Sequence, residues 1–389
     1  MVKEVRRPEP GGVRTTNVAR LVGALRQTGP TTRDALGRLL DLSAPTVGEI
    51  VDGLVQGGVV VAAGRAPSSG GRPPMTYAIN PRGLLAVGIA VGGATCTGVV
   101  CDLSGDVVTE VNDDFGHEAS EAVFNRRLVE LVQGLFESLD GLPQPHGVGV
   151  SVPAALDRTR REVFMLRNRP GWHGTDIGAV LAPLTGRVVV ANRGHAVAVG
   201  EMLFGAGRDE PEFLGVHVGD GVGGAIIVGG EIIGLGTSAG AIGRMIPLLG
   251  DNGDEIVSER VGPGRVVDAA RAWAKKERSA KRYTDFDAVV DAAAHEDPAA
   301  LAAFAEAANH TARAVFNALC VTGSPVVVLS GPMLLAGPPF VDAFQDALSR
   351  LSGGHGPRVL LGQLDPRAGG AVGASALVLR QNVITPNLR

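Results

Sequence analysis

The segment LGVHVGDGVGGAIIVGGEIIGLGTSAGAIGR, residues 214–244, carries the most structural information in this sequence. Two apolar runs, Leu214–Val218 and Ala225–Val228, enclose a glycine-rich turn at residues 219–224. Apolar runs around such a turn predict a hairpin whose backbone must approach another group closely. Exposed backbone N–H groups in a glycine-rich turn can hold a phosphate, but the same pattern is typical of an ordinary tight hairpin. The segment alone leaves both interpretations open.

The composition around this segment is that of a mixed α/β protein. Of 389 residues, 45% are hydrophobic, 4% are aromatic and 56 are glycine. A chain of this length exceeds one ordinary core, so we expect two or three domains. The sequence has no uncharged apolar run long enough to cross a membrane and no signal-peptide pattern, which indicates a cytoplasmic protein. The cysteines lie in apolar runs and are expected to be buried free thiols: Cys96, Cys101 and Cys320.

The net charge of −4 is distributed unevenly along the chain. Residues 1–82 contain eleven Lys and Arg against six Asp and Glu, so this segment carries +5 and the remaining residues carry −9. A basic amino-terminal segment attached to an acidic body indicates that the two parts have different partners. The basic segment is expected to meet a polyanion, whereas the acidic body keeps the protein in solution.

Residues 16–82 have the pattern of three short helices followed by a strand pair, and residues 1–15 are expected to form a disordered basic tail. Helical spacing of apolar residues begins at Asn17, at Thr32 and again at Ser43, where serine can cap the helix and the following Pro45 suits its first turn. Two strands then flank a linker at residues 64–74. This order predicts a winged helix-turn-helix that binds double-stranded DNA. A generic three-helix bundle is the alternative.

The third helix supplies the predicted recognition surface. In a helix-turn-helix, the first turns of this helix face the base edges. Hydroxyl groups there can contact phosphate or bases, and a glutamate can accept a hydrogen bond from a cytosine amino group but repels phosphate. The candidate residues are Ser43, Ala44, Pro45, Thr46 and Glu49.

These segments together resemble the ROK family of sugar kinases and related repressors. The family pattern G-T-G-x-G-x-G-I-x-x-x-G, followed by G-E-I-G-H, is similar to residues 219–244, and N-L-P-G-W is similar to residues 168–172. The head segments LSAPTVGEIVDGLVQGGVV and GGRPP resemble the repressors. The resemblance covers about residues 14–380. It implies an α/β, two-lobed, actin-like (ribonuclease H-like) sugar-kinase fold, with a first lobe at 83–190, a second lobe at 191–380 and a tail at 381–389.

The departures from this family fall at positions that carry its kinase chemistry. The family turn D-x-G-G-T reads Ala90-Val91-Gly92-Gly93-Ala94 here, so the acid and the hydroxyl are missing. Arg193 stands where the E-N-D motif has its general base, and Asp220 stands where nucleotide phosphate would lie. An arginine cannot accept the proton of a sugar hydroxyl. The resemblance therefore implies that phosphoryl transfer is lost, with no catalytic residue and no cofactor. An active sugar kinase with an appended DNA-binding domain is the alternative.

The structural zinc of the family is also expected to be absent. Arg244 replaces the histidine of G-E-I-G-H, and residues 245–265 contain neither cysteine nor histidine. Zinc requires nitrogen or sulfur ligands at short spacing. We therefore predict no metal site.

An effector pocket is expected at Asn168, Asn192, Arg193, Ala241, Arg244 and Glu259, by their match to family pocket positions. Because acidic and histidine positions of that pocket have become Arg193, Ala241 and Arg244, its positive charge rises. One hypothesis is an anionic effector, a sugar phosphate or sugar acid, held by two guanidinium groups. An equal alternative is a closed pocket in which the two arginines pair with Glu201 or Glu259. A neutral sugar is the third possibility.

The sequence as a whole predicts a transcription regulator, a repressor, of carbohydrate-related genes. Related repressors carry basic residues where this chain has Ala44 and Glu49, so Arg65 and Arg72 on the wing are expected to contribute more of the affinity. Residues 70–73, Gly-Gly-Arg-Pro, are similar to a minor-groove hook, with a solvated linker as the alternative. A two-fold operator requires a homodimer or tetramer.

Overall fold

The computed structural model describes residues 10–67, 72–116, 119–157, 162–166, 175–234, 239–246, 256–279 and 281–384. These residues form an amino-terminal head and a body of two lobes, each built on a five-stranded sheet. No helix of the described residues is long and apolar enough to pass through a bilayer.

The head consists of three helices and a small three-stranded sheet. Its elements are α1 (Pro10–Thr28), β1 (Thr31–Thr32), α2 (Arg33–Leu40), α3 (Ala44–Gln56), β2 (Val60–Arg65) and β3 (Met75–Ile79). The Thr32 hydroxyl caps α2 by accepting from the Ala35 N–H at 3.2 Å, and Ser43 caps α3. The sheet has the order β1-β3-β2, with β2 and β3 as an antiparallel wing. This is the element order and pairing of a winged helix-turn-helix.

The first helix differs from its predicted extent. It begins at Pro10 rather than near Asn17, so residues 10–15, expected in the basic tail, are helical. The apolar stripe that reveals α1 begins only at Val18, which is why periodicity missed the first turns. A helix already nucleated by packing extends at low cost, and proline suits its first position. Residues 1–9 lie outside the described residues.

The first lobe contains a mixed sheet and two helices. Its elements are β4 (Leu85–Val91), β5 (Thr95–Asp102), β6 (Val107–Asp114), α4 (Glu121–Glu137), β7 (Val148–Val152), β8 (Ala154–Asp157), β9 (Glu162–Leu166), α5 (Ile177–Leu181) and β10 (Val188–Asn192). The sheet order is β10-β7-β4-β5-β6. Strands β4, β7 and β10 are parallel, whereas β5 and β6 form an antiparallel meander. Strands β8 and β9 pair separately as a hairpin that the sequence did not predict.

The second lobe repeats this topology. After α6 (Arg193–Phe204), its elements are β11 (Glu212–Val218), β12 (Val222–Val228), β13 (Glu231–Ile233), α7 (Pro263–Lys276), α8 (Phe286–Ala294), α9 (Pro298–Thr322), β14 (Val326–Ser330), α10 (Pro338–Leu351) and β15 (Arg358–Leu361). The sheet order is β13-β12-β11-β14-β15, with the same parallel and antiparallel pairs. The alanine-rich residues 285–317 are divided between two helices, because Asp297 caps α9 and Pro298 cannot continue α8.

The last helix, α11 (Gly369–Ile384), packs on the first lobe. Gly88 of β4 and Gly149 of β7 allow this contact, because a Cβ at either position would lie 2.0 Å from a carbonyl oxygen of α11. The predicted second lobe at 191–380 thus contains a helix that covers the other sheet. Residues 381–384, expected in a tail, are helical, and residues 385–389 lie outside the described residues.

The head and the first lobe share one hydrophobic core. Leu21 and Leu25 of α1 belong to the same cluster of buried side chains as Leu103 after β5 and Leu379 of α11. The head is therefore packed against the body rather than tethered to it.

Burial raises the pKa of Cys96 and Cys101 to about 12. Cys320 is exposed, contrary to prediction, because the apolar composition of α9 does not reveal which side it buries.

Candidate DNA-binding surface and interlobe pocket

The start of α3 forms an exposed surface on the head. Ser43, Ala44, Pro45 and Glu49 are exposed and Thr46 is half-buried, as the helix spacing predicted. The opposite face of α3 packs into the head core through Val47, Ile50, Val51 and Leu54. The structure thus places all five predicted recognition residues on one end and one side of α3.

The two hydroxyl groups of this surface already hydrogen-bond each other. The Ser43 and Thr46 hydroxyl oxygens lie 2.7 Å apart, and the Thr46 N–H donates to Ser43 Oγ at 3.4 Å. The Ser43 hydroxyl is therefore used to cap α3, and the Thr46 hydroxyl is engaged with it. Contacts to DNA from these residues must use their remaining donor and acceptor capacity.

The recognition helix carries acidic residues and no basic residue. Its residues 44–56 include Glu49 and Asp52 but neither lysine nor arginine. Arg33 of α2 compensates for one of these acids, because its Nη2 lies 2.5 Å from Asp52 Oδ1. The Arg33 guanidinium also lies 4.8 Å from the ring centroid of Tyr77 in β3. Arg33 thus ties α2, α3 and the wing together, a role that sequence reasoning missed because its partners are distant in the chain.

The wing carries the exposed basic residues that were predicted there. Arg65 is the last residue of β2 and pairs in register with Met75 of β3, and Arg72 is exposed before Pro73. A hydrogen bond of 2.9 Å from the Ala66 N–H to the Pro74 carbonyl closes the base of the wing. Residues 70 and 71 of the predicted hook lie outside the described residues.

A second candidate site lies between the lobes, at the start of α6. Asn192 caps this helix by accepting from the Gly194 N–H at 2.8 Å. Gly194 touches the hairpin of the second lobe, since a Cβ there would lie 2.4 Å from the Gly224 nitrogen. His195 Nε2 lies 3.0 Å from the carbonyl oxygen of Ala239, two residues before Ala241. The structure therefore brings Asn192 and the segment preceding Ala241 to the same part of the molecule.

Arg193 turns toward the first lobe. Its Nη2 donates to the Val91 carbonyl oxygen at the end of β4, beside the turn that lacks the acid and hydroxyl of the family pattern. Burial lowers the pKa of Arg193, and the opposing attraction of Asp220 raises it. A guanidinium group is not deprotonated in proteins, so the side chain keeps its charge at neutral pH.

The other predicted pocket residues have different surroundings. Arg244 is exposed at the end of a short 3-10 turn, whereas Glu259 Oε2 accepts from the Ile256 N–H at 3.2 Å. The predicted pairing of an arginine with Glu201 does not form, because the Glu201 oxygens accept from the N–H groups of Ala206, Gln363 and Leu364. Asn168 lies outside the described residues.

No cluster of three or more His, Cys, Asp or Glu suited to a metal ion occurs in the part of the chain that the structure describes.

Two polar residues near Arg193 escaped the sequence analysis. Ser151 at the end of β7 and His217 at the end of β11 are 0% and 6% exposed. Neither the Ser151 hydroxyl nor the two ring nitrogens of His217 have a hydrogen-bond partner among the described residues. Burial, together with Arg193, lowers the pKa of His217 to about 3, so the ring is neutral. Both residues stand in apolar runs of the sequence. A polar residue inside such a run was the one feature that could have marked them as site residues.

A winged head on a duplicated kinase-like body defines the class of protein: a sugar-kinase fold joined to a helix-turn-helix. The chain belongs to the ROK family, whose family model matches residues 86–381. It is 22% identical to the xylose repressor of Bacillus subtilis (strain 168) over 342 residues, which span 87% of each chain.

Two solved structures show how far the fold is shared. One is a ROK family transcriptional regulator, described as a homologue of the E. coli MLC protein, with a TM-score of 0.76 and 16% identity over 96% of this chain and 98% of that one. The other is a ROK family glucokinase from Streptomyces griseus, in complex with glucose and AMPPNP, with a TM-score of 0.67 and 22% identity over 75% of this chain and 98% of that one. The regulator is matched over nearly the whole chain, and the family and fold predictions are confirmed.

Proposed function

We propose that this chain is a DNA-binding transcription repressor of the ROK family that has lost kinase activity and responds to a sugar-derived effector. The observation that carries the proposal is the common hydrophobic core of the winged head and the kinase-like body. Because the head is packed against the body, a conformational change in the body can change the position of the head. Relatives named as xylose repressors support a sugar-derived effector.

The loss of kinase activity is supported by what occupies the crevice between the lobes. Arg193 donates to the backbone at the end of β4, where Ala90 offers no carboxylate for a metal ion. A general base must accept a proton, and a guanidinium group cannot. Phosphoryl transfer also depends on groups that position a metal and phosphates, which Ala90 and Ala94 cannot supply.

Helix α6 offers a physical connection between the pocket and the head. Its first two residues, Arg193 and Gly194, touch the first and the second lobe respectively, and its last residue, Phe204, packs against Gly105 of the first lobe. Arg26 of the head lies 5.4 Å from the Phe204 ring centroid and donates to the Leu103 carbonyl oxygen at 3.0 Å. The 12 residues of α6 span roughly 18 Å at the helical rise. A ligand that shifts the start of α6 would thereby move the contact with α1.

DNA binding is expected to depend on the wing more than on α3. At the exposed start of α3, the two hydroxyls already hydrogen-bond each other, and an acidic residue repels phosphate. By contrast, Arg65 and Arg72 place positive charge on the wing. An arginine side chain can bind in a narrow minor groove without specific hydrogen bonds to a long sequence of bases. The operator is expected to be two-fold symmetric and bound by a homodimer or tetramer.

The test is DNA binding by the full chain, measured by fluorescence anisotropy at fixed salt. Fragments of the protein's own upstream region are titrated with and without candidate sugars. Binding that a sugar weakens supports the proposal, and failure to bind any fragment at low salt contradicts it. A coupled assay with ATP and a panel of hexoses should give no turnover above background, and turnover would show that the chain is a sugar kinase.

The wing is tested by one substitution and a matched control. Arg72→Ala should weaken operator binding at least about tenfold, because a phosphate or minor-groove contact and its counterion release are lost. Arg126→Ala removes an exposed arginine from α4 of the body and should leave the dissociation constant unchanged. An equal effect of the two substitutions would mean that only overall charge matters.

A further inference from the structure

Three polar side chains converge in the crevice where the lobes meet. Ser151 comes from β7 of the first lobe, His217 comes from β11 of the second lobe, and Arg193 begins α6. Four polar atoms of these residues are shielded from solvent and lack a hydrogen-bond partner within the described residues: Ser151 Oγ, Arg193 Nε, and His217 Nδ1 and Nε2. Buried polar atoms in native proteins are nearly always bonded. Such a cluster therefore indicates a bound water or a ligand.

The neighbouring backbone makes this crevice suitable for negative charge. A Cβ at Gly370, the second residue of α11, would lie 3.4 Å from Ser151 Oγ and 3.6 Å from Arg193 Cδ. Both α6 and α11 thus begin beside these side chains. Helix amino termini present unpaired N–H groups and the positive end of the helix dipole.

His217 can donate a hydrogen bond here without carrying charge. Glycines surround the ring, because a Cβ at Gly219 would lie 2.9 Å from Nε2 and one at Gly331 would lie 2.9 Å from Nδ1. Burial, with a contribution from Arg193, holds its pKa at about 3. A neutral imidazole keeps one N–H donor at any physiological pH.

We propose that Ser151, Arg193 and His217 form a binding site for an anionic group, a phosphate or carboxylate, on the effector. The proposal rests on the proposed function, because it names the chemistry of the effector that would control DNA binding. Arg193 supplies positive charge and its Nε–H, Ser151 supplies a hydroxyl, and His217 supplies a ring N–H. Arg244, which is exposed on the 3-10 turn, does not contribute to this site. The anion is thus held by one guanidinium and two neutral donors rather than by two guanidinium groups.

Asp220 gives the proposal a distinctive consequence. This carboxylate is exposed at the edge of the crevice and attracts Arg193, which opposes an incoming anion. Replacing it with a neutral residue of the same shape removes that opposition. Asp220→Asn should therefore bind the anion more tightly than the wild type, whereas most substitutions near a binding site weaken binding.

The experiment is calorimetric titration of the full chain with three probes: inorganic phosphate, a hexose 6-phosphate and the matching neutral hexose. Phosphate and hexose phosphate should bind, and the neutral hexose should bind more weakly than its phosphate. Arg193→Met should weaken hexose phosphate binding roughly 10- to 100-fold, as expected for losing a charge-assisted hydrogen bond. His217→Phe, which keeps a ring of similar shape, should weaken it several-fold, and Asp220→Asn should strengthen it several-fold.

Arg126→Ala, which removes an exposed arginine from α4, is the matched control and should leave anion binding unchanged, and Arg244→Ala tests whether a second guanidinium holds the anion. Loss of binding with Arg244→Ala but not with Arg193→Met would overturn the proposal. Absence of heat with both anionic probes would also overturn it and would mean that the polar atoms hold buried water only. Operator binding by the ligand-free variants is measured in parallel. Retained DNA binding without anion binding contradicts only this site, whereas loss of DNA binding by the wild type contradicts the repressor function itself.

Discussion

The two lobes of the body have the same sheet topology but exchange their covering helices. Helix α6 follows the first sheet in the chain and packs on β11 and β12 of the second, whereas α11 follows the second sheet and packs on β4 and β7 of the first. Each of the two helices therefore covers the sheet of the lobe other than the one whose strands it follows in the chain. The exchange makes the crevice between the lobes a junction of both helix starts, and it connects that crevice to the head.

The covering contacts differ in how tightly the backbones approach. On the first sheet, Gly149 faces a carbonyl oxygen of α11 at a distance that excludes any side chain. On the second sheet, a Cβ at Gly215 would lie 2.8 Å from the Cβ of Ala198 in α6, which is a side-chain contact. The first sheet thus holds α11 through backbone packing, whereas the second sheet meets the backbone of α6 at Gly194 and a side chain of α6 at Ala198. The first of four predictions tests this difference, and the others test a buried cap of the second lobe and the contact between the head and α6, in order of decreasing effect.

The largest effect is expected from adding a methyl group under α11. Gly149→Ala should lower the free energy of unfolding by about 3 kcal/mol or more, because the new Cβ would lie 2.0 Å from the Ala374 carbonyl oxygen. Gly215→Ala should cost about 1–3 kcal/mol, because a side chain can shift more easily than a backbone. Gly134→Ala in α4 meets nothing within 4 Å and should stabilise the chain slightly. Urea denaturation of the three variants measures the series, and equal losses at positions 149 and 215 would remove the proposed difference between the lobes.

The next effect concerns a buried carboxylate in the second lobe. Asp297 caps α9 by accepting from the Ala300 N–H at 3.0 Å, accepts from the Tyr283 hydroxyl and lies 2.7 Å from Lys281 Nζ. Asp297→Ala should cost about 2–3 kcal/mol of unfolding free energy, because a cap and two charge-assisted contacts are lost. Asp285→Ala, which removes the exposed cap of α8, should cost only about 1 kcal/mol. Thermal unfolding compares the two, and a larger loss for Asp285→Ala would contradict the role of burial.

The same carboxylate predicts a dependence of stability on pH. Burial alone would raise the pKa of Asp297, but hydrogen bonds from Lys281 and Tyr283 lower it from 3.8 to about 2. A depressed pKa in the folded state stabilises the fold above the ordinary pKa and loses that contribution as protonation begins. The stability difference between the wild type and Asp297→Ala should therefore shrink as pH falls from about 4 to about 2. A difference that stays constant over this window would show that the carboxylate charge is not involved.

The smallest effect on stability, and an informative one for function, is expected at the contact between the head and α6. Burial, together with the nearby Arg208, lowers the pKa of Arg26 to about 10, so its charge is costly there. Arg26→Met removes this charge while keeping an apolar stem, and should change the unfolding free energy by less than about 1 kcal/mol. The same variant should reduce the response of operator binding to the effector, measured by anisotropy. A full response would mean that α6 does not transmit the signal.

Several local features were predictable because neighbouring residues decide them. The caps at Thr32 and Ser43, the strands around the glycine-rich turn at 219–224, and the wing all occur where periodicity and capping chemistry placed them. The start of α1 was predicted too late, and the break between α8 and α9 was not predicted. In α1 the apolar stripe begins several residues after the helix does. In the alanine-rich stretch the uniform composition does not show that Pro298 starts a new helix.

The candidate sites were less predictable because distant segments form them. Arg193 was singled out from its position in a motif, but its hydrogen bond to Val91 joins residues that are far apart in the chain. Ser151 and His217 gave no pattern, since each is a single polar residue in an apolar strand. The sequence identified Arg193 as a charged residue of the crevice, but it did not reveal the partners of Arg193 or that Arg244 is exposed.

The amino-acid sequence by itself indicated the winged head, the strands around the glycine-rich turn and the missing acid at the end of β4, and its resemblance to a family implied a two-lobed body. Only the tertiary structure decided that α6 and α11 exchange lobes, that Arg193 faces Ser151 and His217 rather than Arg244, and that the head shares its core with the first lobe. The physical reason is that periodicity along the chain reveals which side of an element is apolar. It does not reveal which distant surface will cover that side.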